Sequence, residues 1–92
     1  MTLEDVRARI DAIDREVVGL LARRQALVLE AAAFKADAAD VAAPDRRAAM
    51  MVRLEAWAEQ EGLAPEVVRA VWTAMVDAFV ALELEEHRRR TR

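Results

Sequence analysis

The sequence contains no cysteine, no tyrosine, two glycines, two prolines and one histidine. The absence of thiols excludes disulfides, thiolate catalysis and cysteine-based zinc sites, and His87 alone cannot assemble a metal centre. Aromatic residues make up 4% of the chain, which disfavours a sheet built on aromatic and β-branched cross-strand pairs. No run approaches the roughly 18 consecutive apolar residues that a membrane span requires. The N-terminus carries Glu4 and Asp5 and lacks the apolar centre of a secretory signal. These absences point to a cytoplasmic protein with no membrane partner, whose chemistry is metal-free and thiol-free unless carboxylates hold a hard cation.

The 92 residues are 55% hydrophobic and 34% charged, and Ala, Leu, Val, Glu and Arg dominate. That is the composition of long helices, and the length predicts a single all-α domain spanning residues 1–92 with a modest core of its own. The formal charge of −3 and a pI near 5.2 argue against nucleic acid as a partner, despite the closing "HRRRTR". Cations at that place complement the negative end of a last helix.

Three helical segments and two short breaks are expected. Thr2 caps the first segment, with Asp5 three positions on forming a capping-box-like start. Leu3, Val6, Ile10, Ile13, Val17, Leu20, Arg24, Leu27, Ala31 and Phe34 then alternate steps of three and four, a heptad seam with an arginine at one core position. The first break is "ADAADVAAP". Its Pro44 fits the first turn of a second helix running through Met50, Leu54 and Trp57 to a stop at Gly62. Pro65 opens a third helix with the stripe Val68, Trp72, Met75, Phe79 and Leu82, and Glu83 beside it.

A first helix of about 33 residues would span roughly 50 Å. A compact chain of this length has a radius of gyration of only about 12 Å. The helix therefore overhangs its own fold, and the apolar seam along it predicts an intertwined, symmetric homodimer.

Arg24 and Lys35 are eleven residues apart. At about 100° per residue they return to nearly the same face, about 16 Å further along, so both can point into one cavity. Arg24 in a seam either snorkels at its edge, pairs with a buried carboxylate, or faces an anionic ligand. Arg46 falls in the first turn after Pro44, where free N–H groups favour an anion. Arg7 lies seventeen residues before Arg24, about 25 Å away on the same helix, so only a partner's copy could share a site with Arg24. Glu83 is the acid beside the third seam, open to a salt bridge or a polar role in the same cavity.

The run "VRARIDAIDREVVGLLARRQALV", followed by "FK", "APDR" and "WAEQEGL", resembles the all-helical (AroQ-type) chorismate mutase family over nearly the whole chain. The blocks "FK", "AP" plus "R", "AAM" and "WAE" plus "GL" look most like its isochorismate pyruvate lyase branch. The resemblance implies an entwined homodimer with two equivalent sites, no cofactor, and a dicarboxylate substrate held by cations. By that resemblance Arg7 enters the neighbour's site, while Arg24, Lys35 and Arg46 line it and Glu83 stands where the family commonly has Gln. Catalytic roles are then implied for Arg24, Lys35 and Glu83. Arginine pairs bidentately with carboxylates, Lys35 would donate to the ether oxygen of the breaking C–O bond, and protonated Glu83 would donate to the same atom. Three positions depart from the mutase pattern: Arg47 replaces a glutamate, Phe79 a serine, and Ala43 falls near a loop aspartate. Contacts to the ring hydroxyl are therefore rewritten.

The leading expectation is a chorismate mutase, converting chorismate to prephenate without covalent catalysis. The alternatives are an isochorismate pyruvate lyase, which yields salicylate and pyruvate, a 4-amino-4-deoxychorismate mutase, and a non-catalytic helical dimerisation module.

Overall fold

The computed structural model describes residues 1–90; the last two residues of the basic tail lie outside it. Its elements are α1 (Leu3–Ala32), α2 (Ala38–Ala42), α3 (Pro44–Glu61) and α4 (Pro65–Arg90), with no strand among the described residues. The all-α architecture follows the sequence, and its ends are set by the expected local chemistry.

At the start of α1 the Thr2 side chain accepts from the Asp5 N–H at 3.1 Å, and the Thr2 N–H donates to the Asp5 carboxylate at 2.9 Å. The Thr2 backbone and side-chain hydrogen bonds hold the Asp5 carboxyl below its ordinary 3.8. After Ala32 a tighter turn, with Phe34 N–H donating to Ala31 and Lys35 N–H to Ala32, carries the chain to Lys35. Pro44 opens α3, as its fixed φ and missing N–H favour. Gly62 closes that helix at φ 73, and Leu63 N–H donates back to the Ala58 carbonyl at 2.8 Å. In the last turn of α4, Arg88 pairs with Glu85 and Arg90 with Glu86, while the cations also complement the helix dipole.

The break expected between the first two long helices contains a helical turn of its own. Asp37 caps α2 by accepting from the Asp40 N–H at 2.9 Å, and Val41 is buried where α2 meets α4. The three long helices thus stand as expected, with one short helix added by a local aspartate cap and a single buried valine.

Packing centres on α4, which touches each of the other elements. Leu54 and Ala58 of α3 bury against Val68 of α4, and Met50, Met51 and Trp72 close around them. Further along, Val76 and Glu83 turn toward α1 and α2. The expected stripe is corrected at two places. Ala58 is buried while Trp57 is 54% exposed, and Glu83 is buried while Leu82 is 38% exposed. The inward face of α4 rotates because its first half packs on α3 and its second half on α1 and α2.

The α1 helix has 30 residues, hence a length of about 45 Å, and the chain measures 55 × 25 × 15 Å with a radius of gyration of 16.2 Å. A compact chain of this length would reach only about 12 Å. Along α1, Ile10, Ile13 and Leu20 all remain more than half exposed. Among the described residues, no helix is long and apolar enough to cross a membrane.

Ala43 joins α2 to α3 at φ 41, ψ 60, a left-handed conformation that strains a residue with a Cβ. Ala43→Gly removes that strain at the cost of a more flexible unfolded chain. It is expected to raise stability by about 0.5–1 kcal/mol and Tm by a few degrees. Thermal unfolding checks this, and a lower Tm in the glycine variant contradicts the assignment of strain.

Candidate active site

A cavity of about 320 Å³ opens between the second half of α1, α2, the start of α3 and the second half of α4. Its walls carry Val28, Val41, Met50, Phe79 and Val80, and its charged groups are Arg24, Lys35, Arg46, Arg47 and Glu83. Four cations and one carboxylate around an apolar pocket favour a small anionic ligand.

The helix starts and stops described above place each group. The tightened turn after α1 delivers Lys35, whose Nζ lies 2.6 Å from Glu83 Oε1. Glu83 is 4% exposed and projects from the inward face of α4. Its Oε1 receives no directed hydrogen bond, so ion pairing with Lys35 is what compensates the buried charge. The Lys35 carbonyl accepts from His87 Nε2 at 3.2 Å, which ties the end of α1 to the last turns of α4.

Arg24 is half-buried, with its guanidinium carbon 4.9 Å from the centroid of the Phe79 ring. A cation over an aromatic face is attracted by about 0.5–2 kcal/mol, which offsets part of its desolvation. Arg46 is exposed at the rim, in the first turn of α3, where the helix dipole adds positive potential. Among the described residues, no carboxylate pairs with Arg24 or Arg46. Arg47 differs: it reaches Asp77 of α4 at 2.7 Å and donates to the Thr73 carbonyl at 3.4 Å. Within one chain the cavity therefore presents two uncompensated cations, Arg24 and Arg46, beside two internally balanced pairs.

Of the residues singled out in the sequence, Arg24, Lys35, Arg46 and Glu83 line this one cavity. Arg7 does not; it is exposed near the far end of α1. Two features escaped sequence reasoning. Phe79 reads as ordinary core in a heptad stripe, and its role as a platform for Arg24 depends on the crossing of α1 and α4. The Arg47–Asp77 pair joins residues 30 positions apart, beyond the reach of any local pattern.

The chain is 37% identical over 83 residues to an isochorismate pyruvate lyase from Pseudomonas aeruginosa, an alignment covering 90% of this chain and 82% of that protein. Residues 6–84 match the chorismate mutase type II family. With most of its length matched and every described element helical, the chain belongs to the chorismate mutase type II family.

Proposed function

We propose that the cavity binds a chorismate-type dicarboxylate and that the protein is a chorismate mutase acting on it without a covalent intermediate. The observation that carries this reading is the convergence of Arg24, Lys35, Arg46 and Glu83 on one small, mostly apolar cavity, with no carboxylate partner for Arg24 or Arg46 among the described residues. Rearrangement of chorismate to prephenate is a one-molecule pericyclic step. It needs no nucleophile, only a site that holds the reactive conformer and stabilises charge where it separates.

In this reading Arg24 grips one carboxylate with its planar fork, and Arg46 adds positive potential at the rim. Lys35 donates to the enolpyruvyl ether oxygen, where negative charge grows as the C–O bond breaks. Glu83, in its protonated form, donates to the same oxygen from α4. Substrate entry, with uptake of one proton from solvent by Glu83, thus replaces the Lys35–Glu83 ion pair by two hydrogen bonds to one oxygen. The second carboxylate is assigned to Arg7 of the partner subunit in an antiparallel homodimer. The exposed apolar face of α1 supports that assembly, since burying it against a second copy removes that surface from water.

A second reading, isochorismate pyruvate lyase, is favoured by the 37% identity to the Pseudomonas aeruginosa lyase. Both reactions break the same kind of ether bond, so the same cations serve either; they differ in where the ring hydroxyl sits. Incubation with each substrate separates them. Prephenate from chorismate is the expected result, and salicylate plus pyruvate from isochorismate at higher kcat/KM reverses the order of the two readings. Arg24→Ala should lower kcat/KM by about 10²–10³, since it removes a charged grip on the reacting molecule. Retained turnover in that variant excludes the proposed role of Arg24, and a parent chain that turns over neither substrate leaves a non-catalytic helical module in place of the enzyme.

Glu83→Gln keeps a hydrogen-bond donor at this position and should stay within about tenfold of the parent, while Glu83→Ala should lose about a hundredfold. Equal losses in the two variants would show that Glu83 acts through its charge.

The dimer assignment has its own test. Arg7→Ala and Arg24→Ala chains, each inactive alone, should regain activity when unfolded together and refolded. Random pairing makes half of the dimers mixed, each with one intact site, so about one quarter of the sites recover. No recovery would place Arg7 outside the site.

A further inference from the structure

Arg47 is distinguished from the other cations of the cavity wall by where its counter-charge sits. Lys35 is balanced by Glu83, which lines the cavity with it, whereas Arg47 is balanced by Asp77, which does not line the cavity. The Arg47 side chain is 32% exposed and that of Asp77 is 63% exposed, so Asp77 approaches from the solvent side while Arg47 forms part of the wall. The Thr73 carbonyl accepts a second contact from the same Arg47 nitrogen, at 3.4 Å. That longer contact is a second, weaker tie of the guanidinium to α4.

From this arrangement we propose that Asp77 is a positioning and selectivity residue acting through Arg47: it cancels the arginine's charge from outside the cavity and thereby fixes the anion charge that the site prefers. The proposal rests on the reading of the cavity as a dicarboxylate site. With Arg47 neutralised, the wall offers hydrogen-bond donors at that point without a further net cation. A dianion is held by the uncompensated arginines, and an anion of higher charge gains little more. Without Asp77, Arg47 would act as an extra cation, and the gain in binding would grow with ligand charge, because Coulomb energy is proportional to it. Added affinity of that kind falls equally on substrate, transition state and a dianionic product. It would lower KM without raising kcat, and slower product release would lower kcat.

The test uses the full chain, Asp77→Asn, Asp77→Glu, Arg47→Gln and the Asp77→Asn/Arg47→Gln double variant. Two simple probes, glutarate as a dianion and tricarballylate as a trianion, are titrated at low ionic strength near pH 8. Asp77→Asn should tighten tricarballylate about tenfold (about 1.4 kcal/mol) and glutarate about fivefold. Added salt should shrink both effects. Asp77→Glu should restore the parent selectivity, and the gain should vanish in the double variant, since Arg47 is the charge released. With substrate, Asp77→Asn should lower KM and kcat together.

Equal affinity changes for both probes, or a gain that survives in the double variant, overturn the proposal. So does weaker binding of both probes in Asp77→Asn with unchanged Tm. Failure of the functional reading is separable from these outcomes. A parent protein that converts neither chorismate nor isochorismate refutes that reading, while the probe titrations still decide whether Asp77 sets charge preference.

Discussion

A buried carboxylate on α4 organises this molecule. Glu83 sits where an apolar side chain would otherwise continue the helix seam, and an ionised group there is tolerable only with a cation against it. Lys35 supplies that cation from the turn after α1, so the register of α1 on α4 must bring residue 35 level with residue 83. With that level fixed, Arg24 comes to lie over Phe79, and the space between these charged points cannot close into a dry core. The cavity is the geometric remainder of placing two charges inside a helical bundle.

The thin core around it follows from the same arrangement. Leu54, Ala58 and Val68 pack α3 on α4, but α1 spends its apolar face largely outside the chain. A small all-α chain with one long helix has too little interior to cover that face by itself. The exposed seam and the cavity are thus two consequences of one design: a helix longer than its own fold, with an arginine set into its apolar seam.

The helical frame is common to the family, and the wall of the cavity is where one substrate is told from another. Lys35 and Glu83 face the bond-breaking end in our reading, and would serve mutase and lyase chemistry equally. In the same reading, discrimination between ring substituents falls to wall groups such as Arg47, which pairs with Asp77 and contacts the Thr73 carbonyl. A small change in such a group rewrites specificity while leaving the anion grip intact.

Much of the fold was legible from sequence because helix formation is governed by near neighbours. The capping box at Thr2 and Asp5, Pro44 at the start of α3 and Gly62 at its end each act within a few residues. So does the 3.6-residue geometry that predicts Arg24 and Lys35 on one side, although Lys35 lies in the turn just after α1. The α2 turn was missed because its aspartate cap lies in an alanine-rich break, and the stripe on α4 drifted because the buried side of a helix changes when its neighbour changes. What the sequence determined by itself was the helical content, the ends of the long helices and the presence of cations along one seam. Only the tertiary structure decided that Glu83 meets Lys35, that Arg24 rests on Phe79 and that Asp77 neutralises Arg47. Those pairings span α1, α3 and α4, and contacts between distant residues are fixed by how helices cross, not by what any one helix prefers.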